Sequence, residues 1–114
     1  MAAHDNAGAQ RDPDARGYLP LRRYGLIGDS HTAALIADDG SIDWLCLPAF
    51  DGAPLFARLL DAQVGGFFDL VDATSGEPPA PLGQRYVDGT AMLETELAFS
   101  TGRVLLTDFF ATRR

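Results

Sequence analysis

Lysine is absent from this chain: its nine basic residues are all arginine, against 16 acidic ones, for a formal charge of -7 over 114 residues. That balance excludes nonspecific binding to nucleic acid or to an anionic membrane, because neutralising phosphates needs clustered cations. The paired arginines, Arg22-Arg23 and Arg113-Arg114, are too few to make a phosphate track. Cysteine is nearly absent too. Cys46 stands alone, which rules out an internal disulfide and a cysteine-based zinc site, and it reads as a small buried hydrophobe. The two histidines, His4 and His31, have no acidic cluster at metal-ligand spacing around them, so no metal and no cofactor is expected. Gly65-Gly66 lacks the Lys-Ser/Thr that completes a phosphate-cradling loop. No stretch approaches the roughly 20 apolar residues of a membrane span. The first 17 residues lack the apolar run of about 7–15 residues that a secretory signal requires. A soluble protein in a reducing, cytoplasmic setting is the resulting expectation.

What is present is an ordinary globular composition, 46% hydrophobic, which allows one folded domain. Residues 1–17 are small and polar without periodicity and read as a disordered leader; order is expected over 18–114. Thr32 to Ala37 and Ile42 to Leu47 are apolar runs joined by Asp38-Asp39-Gly40-Ser41, the signature of a tight hairpin. Strict alternation on the second run places Ile42, Trp44 and Cys46 on one face and Asp43, Leu45 and Leu47 on the other. Both faces being apolar, that strand is expected to be covered on both sides. Pro54 followed by Leu55, Phe56, Leu59 and Leu60 predicts one short helix near residues 54–61. Phe67 to Leu70 predicts a strand, and the prolines between Thr74 and Gly83 predict a loop. After the Asp88-Gly89 turn, Leu93, Thr95 and Leu97 alternate with Glu94 and Glu96 in a half-exposed strand, and the apolar run Val104 to Phe110 reads as an interior strand. The sum is a mainly β chain, hairpin-rich and antiparallel, forming a partial β-sandwich.

Three constellations could carry chemistry. Gly28-Asp29-Ser30-His31 has the look of an esterase nucleophile block, but neighbours on a strand face opposite ways, so Ser30 and His31 do not read as a nucleophile–base pair. The single asparagine, Asn6, lies in the leader, away from any oxyanion role. A turn in which Gly28 and Asp29 supply the backbone freedom and the cap explains the block, as Asp39 and Gly40 do for the next turn. Glu94 and Glu96 share a strand face, but catalytic carboxylates must flank a bond in a pocket, and a solvated sheet face is the reading here. No catalytic residue is assigned. The block around Trp44, Pro48, Phe50 and Asp51 is different: aromatics beside polar groups on a loop leaving a strand can rim a saccharide or a protein interface.

These residues also carry a resemblance. The stretch Tyr24 to Asp51, with its Ile27-Gly28-Asp29 turn, Thr32-Ala33-Ala34-Leu35 strand, Asp39-Gly40-Ser41-Ile42-Asp43-Trp44 hairpin and Pro48-Ala49-Phe50-Asp51 block, closely resembles the N-terminal region of family 15 glycoside hydrolases, the bacterial trehalases and glucoamylase-like enzymes. Gln84-Arg85-Tyr86 and Val104 to Phe109 look like later strands of the same family. Two departures stand out: Ala49 where the family commonly has arginine, and Gly52-Ala53 ahead of Pro54 where it commonly has Ser-Pro. The resemblance implies a β-sandwich region that supports a helical-barrel catalytic domain, in cis or as a separate chain. In such enzymes that barrel holds the two glutamates that hydrolyse terminal α-glucosidic bonds. This chain alone is therefore expected to be inactive. A stand-alone module that self-associates through unpaired sheet edges, or binds saccharide, is the alternative expectation.

Overall fold

The computed structural model describes residues 18–47 and 49–111; residues 1–17, read above as a leader, Pro48 and residues 112–114 lie outside them. Seven strands follow a short 3-10 turn at Leu21–Arg23: β1 Tyr24–Gly28, β2 Ala33–Ala37, β3 Ile42–Cys46, β4 Pro54–Phe56, β5 Ala80–Tyr86, β6 Leu93–Phe99 and β7 Gly102–Asp108. They form two antiparallel meanders, a four-stranded sheet in the order β1-β2-β3-β4 and a three-stranded sheet in the order β5-β6-β7. The chain is mainly β, as its alternation and turn residues predict. No helix among the described residues is long and apolar enough to cross a membrane.

The sheets meet over a small core in which Ile27, Ala34 and Ile36 of the first pack with Leu93 of the second, flanked by Ile42, Leu45 and Phe110. Close approach depends on two glycines. A Cβ on Gly25 would stand 2.6 Å from Leu93 Cδ2, so a side chain there would force the core leucine of β6 to shift. Gly40, at the tip of the β2–β3 hairpin with φ 86°, sits against Leu70, Leu97 and Leu106 and anchors that hairpin to the second sheet. Polar ties reinforce the join. Gln84 Nε2 donates to the carbonyls of Ile36 and Ala37 at 3.2 Å each and to Thr95 Oγ1 at 3.1 Å. The Tyr86 hydroxyl donates to the Leu26 carbonyl at 2.7 Å and accepts the Leu26 N–H at 3.1 Å, which caps the outer edge of β1.

Four expectations need correction. The helix near 54–61 does not form: Pro54–Phe56 is extended and pairs with β3 (Cys46 opposite Pro54, Leu45 opposite Phe56), and tight turns follow, with Leu60 N–H bonding the Ala57 carbonyl at 2.9 Å. An isolated helix this short is marginal in water, whereas the β3 edge offers ready ladder partners, and Pro54 is tolerated as the first residue of an edge strand. The second correction concerns β3. Leu35 stands opposite Trp44 but Ile36 opposite Ile42, so Asp43 is the extra residue of a β-bulge. The bulge reverses the alternation: Ile42 and Leu45 share the core face, and Trp44 turns to the opposite one. Third, the proline loop ends early, because Ala80–Tyr86 is a strand in which Pro81 sits on a sheet edge beside a bulge, and Phe67 to Leu70 contributes only a bridge between Phe68 and Ile42. Fourth, among the described residues β7 pairs with β6 alone rather than lying between two strands, and Val104 is 42% and Leu105 53% exposed.

Candidate docking surface

The bulge at Asp43 organises what lies on the far side of the first sheet. Asp43 is fully buried at 0% exposure, where an unpaired carboxylate would be severely penalised. Arg58 answers it, with Nε 2.8 Å and Nη2 2.7 Å from Asp43 Oδ1, and the Tyr24 hydroxyl donates to Oδ2. The same guanidinium reaches Asp69, with Nη1 3.1 Å from Oδ2, and stacks over the Phe67 ring at 4.1 Å from its centroid. Burial opposes the charge of Arg58, yet its hydrogen bonds to Asp69 and Asp43 outweigh that and hold its pKa above the ordinary value. One side chain thus pins the 57–69 segment to the bulge. An aspartate inside an apolar strand and an arginine inside the leucine-rich segment 55–60 were the signals for this pair, but only the fold brings them together.

Beyond the bulge, Leu26, Leu35 and Trp44 stand opposite one another across β1, β2 and β3, an apolar row on the face away from the core. Leu26 is exposed, and Leu35 and Trp44 are half-buried. The strand directions put the β1–β2 turn and the β3–β4 loop at one end of this sheet, and the two are joined by a bond from Phe50 N–H to the His31 carbonyl at 2.9 Å. In the first turn, Asp29 Oδ1 accepts the main-chain N–H groups of His31 and Thr32 at 2.9 Å each, which lets Ser30 take a φ of 77° and holds the Asp29 carboxyl below its ordinary pKa. Its carboxylate is committed to the turn, and His31 is exposed. The second loop closes through Gly52 N–H to the Ala49 carbonyl at 3.0 Å. The Thr32 hydroxyl, bonded to the Cys46 carbonyl, fixes the strand from which that loop leaves. Phe50 is 59% exposed on this pinned loop, beside exposed Asp51, Leu47 and Leu55.

Of the residues read as a rim, Trp44 therefore lies on the sheet face, Phe50 and Asp51 lie on the loop at its end, and Pro48 falls outside the described residues. Asp39 and Gly40 lie at the opposite end, where Asp39 Oδ1 accepts the Ser41 N–H at 3.0 Å and the hairpin tip is buried against the second sheet. Glu94 and Glu96 lie on the outer face of β6, with Arg85 Nη2 3.4 Å from Glu94 and Arg103 Nη1 3.6 Å from Glu96, where Glu96 lines an open groove with both arginines. No group of three or more His, Cys, Asp or Glu among the described residues is placed to hold a metal ion.

The family model described as trehalase-like, N-terminal, matches residues 15–114. The trehalase of Thermoplasma volcanium is 35% identical over 100 residues, 86% of this chain but 16% of that protein. The trehalase of Mycolicibacterium smegmatis is 34% identical over 91 residues, 80% of this chain and 13% of that protein. Trehalase 1 of Sulfolobus acidocaldarius is 45% identical over 49 residues, 9% of its length. The chain therefore spans a small part of the curated relatives that it matches. No solved structure matches it.

Proposed function

Because the chain belongs to the family of trehalase-like N-terminal domains, we propose that it is the non-catalytic sheet module of a family 15 glycoside hydrolase and docks on a helical catalytic domain through the outer face of its first sheet. The observation that carries this reading is the exposed Phe50 on a loop tied by its N–H to the His31 carbonyl, at the end of the sheet whose outer face carries the row Leu26–Leu35–Trp44, with Leu47 and Leu55 also exposed. An aromatic anchor on a rigid support, flanked by aliphatic side chains, is what the centre of a stable interface requires. The Asp29 carboxylate is spent inside its own turn, which leaves it less available to compete for hydrogen bonds at this face. The whole enzyme would hydrolyse terminal α-glucosidic bonds, with its acid and base supplied by the barrel. The module's part is support, and the shaping of one wall near the barrel.

The test is reconstitution. The chain is co-expressed with the Mycolicibacterium smegmatis trehalase from which the matching N-terminal part has been removed. Co-purification and glucose release from trehalose are expected, while the chain alone releases none. Phe50→Asp should weaken the complex by about tenfold or more. Ala49→Arg should leave it intact or tighten it. A complex that forms equally well with Phe50→Asp, or turnover by the chain alone, would overturn the proposal.

A further inference from the structure

Three Asp-Gly pairs occur in the chain: Asp39-Gly40, Asp51-Gly52 and Asp88-Gly89. Such a pair is chemically labile, because a glycine nitrogen, with no neighbouring Cβ to hinder it, can reach the carboxyl carbon before it. The fold treats the three differently. Asp39 is 4% exposed and its Oδ1 accepts the Ser41 N–H, while the Gly40 N–H donates to the Ala37 carbonyl at 2.9 Å. Gly40 is also wedged against Leu70, Leu97 and Leu106, which leaves its peptide group little room to turn. Asp51 is exposed, but the Gly52 N–H donates to the Ala49 carbonyl at 3.0 Å. A Cβ on Gly52 would stand only 3.1 Å from the Leu47 carbonyl oxygen, so that turn is crowded too. Asp88 and Gly89 are both exposed at the tip of the β5–β6 hairpin, and a Gly89 Cβ would meet nothing within 4 Å. Thr90 closes this turn, its N–H and hydroxyl both donating to the Val87 carbonyl, at 3.0 and 2.8 Å. Neither the Asp88 carboxylate nor the Gly89 N–H has a hydrogen-bond partner among the described residues. Both reacting groups are therefore free at this pair.

We propose that Asp88 is a modification site at which the chain converts spontaneously to isoaspartate, a change the fold withholds from Asp39 and Asp51. The main-chain nitrogen of Gly89 attacks the carboxyl carbon of Asp88 in its acid form. The N–C bond forms, the C–OH bond breaks, and the hydroxyl leaves as water with the proton from the nitrogen. Water then opens the cyclic imide. Attack at one carbonyl restores aspartate; attack at the other routes the chain through the side-chain carbonyl and frees the α-carboxylate. No oxidant or cofactor enters, and the mass is unchanged. Forming the imide requires the Asp88–Gly89 peptide group to rotate. At Asp39 the hairpin tip must first leave the second sheet, and at Asp51 the loop must first release Gly52. Such local opening costs free energy that the solvated turn at Asp88 escapes. The product carries an extra backbone methylene two residues from Tyr86, whose hydroxyl ties β5 to Leu26 of the first sheet. Its free α-carboxylate is the group that a carboxyl methyltransferase using S-adenosylmethionine esterifies, which defines the class of enzyme able to act on the aged chain. The inference is independent of docking through Phe50.

The full chain is held warm at neutral pH for increasing times and digested so that each Asp-Gly pair lies in its own peptide. Isoaspartate in each peptide is read by methyl transfer from labelled S-adenosylmethionine with a protein isoaspartyl methyltransferase. Label should enter the Asp88 peptide about tenfold or more faster than the Asp39 or Asp51 peptide, the ratio set by the opening that those two require. In concentrated urea, where no fold protects any of them, the three should age at comparable rates. Asp88→Glu, whose longer side chain must close a larger and less favourable ring, should abolish the signal at that position and leave the other two as they were. The proposal fails if the folded chain labels Asp39 or Asp51 as fast as Asp88, or labels none of the three. It fails equally if the signal survives Asp88→Glu. A tenfold preference for Asp88 that persists in urea would also sink it, because local sequence rather than the fold would then be the cause.

Discussion

Replacing Arg58 with methionine should unfold the module more readily than any surface change. Arg58 is 6% exposed and is paired with Asp43, which is wholly buried; the methionine keeps the aliphatic stem but removes the guanidinium's charge and hydrogen bonds from that carboxylate. Breaking a buried pair on one side costs about 3–5 kcal/mol. For a domain of this size a loss of about 3 kcal/mol lowers Tm by roughly 10–20 °C. Asp69→Asn is the internal control. The Asp69 side chain is 32% exposed, and removing its charge should cost about 1 kcal/mol or less because water screens that arm of the network. Asp43→Leu combined with Arg58→Met removes both charges and should recover much of the loss. Urea unfolding followed by circular dichroism gives the differences directly. If Arg58→Met costs less than about 1 kcal/mol, or no more than Asp69→Asn, the claim that this guanidinium holds the 57–69 segment on the bulge is wrong.

Three further outcomes are expected. Gly40→Ala should destabilise the chain by about 1–3 kcal/mol in the same assay, because it forces φ 86° on an L-residue and puts a methyl 3.0 Å from Leu70 and 3.2 Å from Leu97. Tyr86→Phe should cost about 0.5–1.5 kcal/mol and speed amide exchange at Leu26, since the hydroxyl both donates to and accepts from that residue. Acid should destabilise the fold through Asp72 and Asp29. The Ser100 hydroxyl and N–H, then Thr74 N–H, hold the Asp72 carboxyl below its ordinary value of 3.8, and the N–H groups of His31 and Thr32 do the same for Asp29. Their contribution is complete above 3.8 and disappears as pH falls through the lowered folded values. Asp108 runs the other way: burial raises its pKa, so it favours the fold below 3.8 and loses that contribution as pH rises through the raised value. Urea midpoints from roughly pH 2 to 6 should show a steep acid limb that Asp72→Asn flattens.

The residues read as a rim were legible because aromatics next to a proline block are conspicuous in a short chain. Their arrangement was not. Trp44 changes faces through a bulge created by the burial of Asp43, and no alternation pattern announces a bulge whose partner lies 15 residues away in Arg58. The leucines of 55–60 read as a helical stripe because three- and four-residue spacing is all that a local window sees, while the competing ladder on β3 is a tertiary fact.

By itself, the sequence determined the meanders. Alternation in β6, Asp-Gly pairs at two turns and apolar runs of five to seven residues specify antiparallel hairpins through local sterics and short-range pairing, and the family pattern sits on those hairpins. Tertiary structure alone decided which faces meet and which edges stay open. Gly25 against Leu93, Gly40 against Leu97 and Tyr86 on Leu26 all join residues remote in the chain. Such contacts form only where close packing and the need to pair every buried polar group leave one arrangement of the sheets.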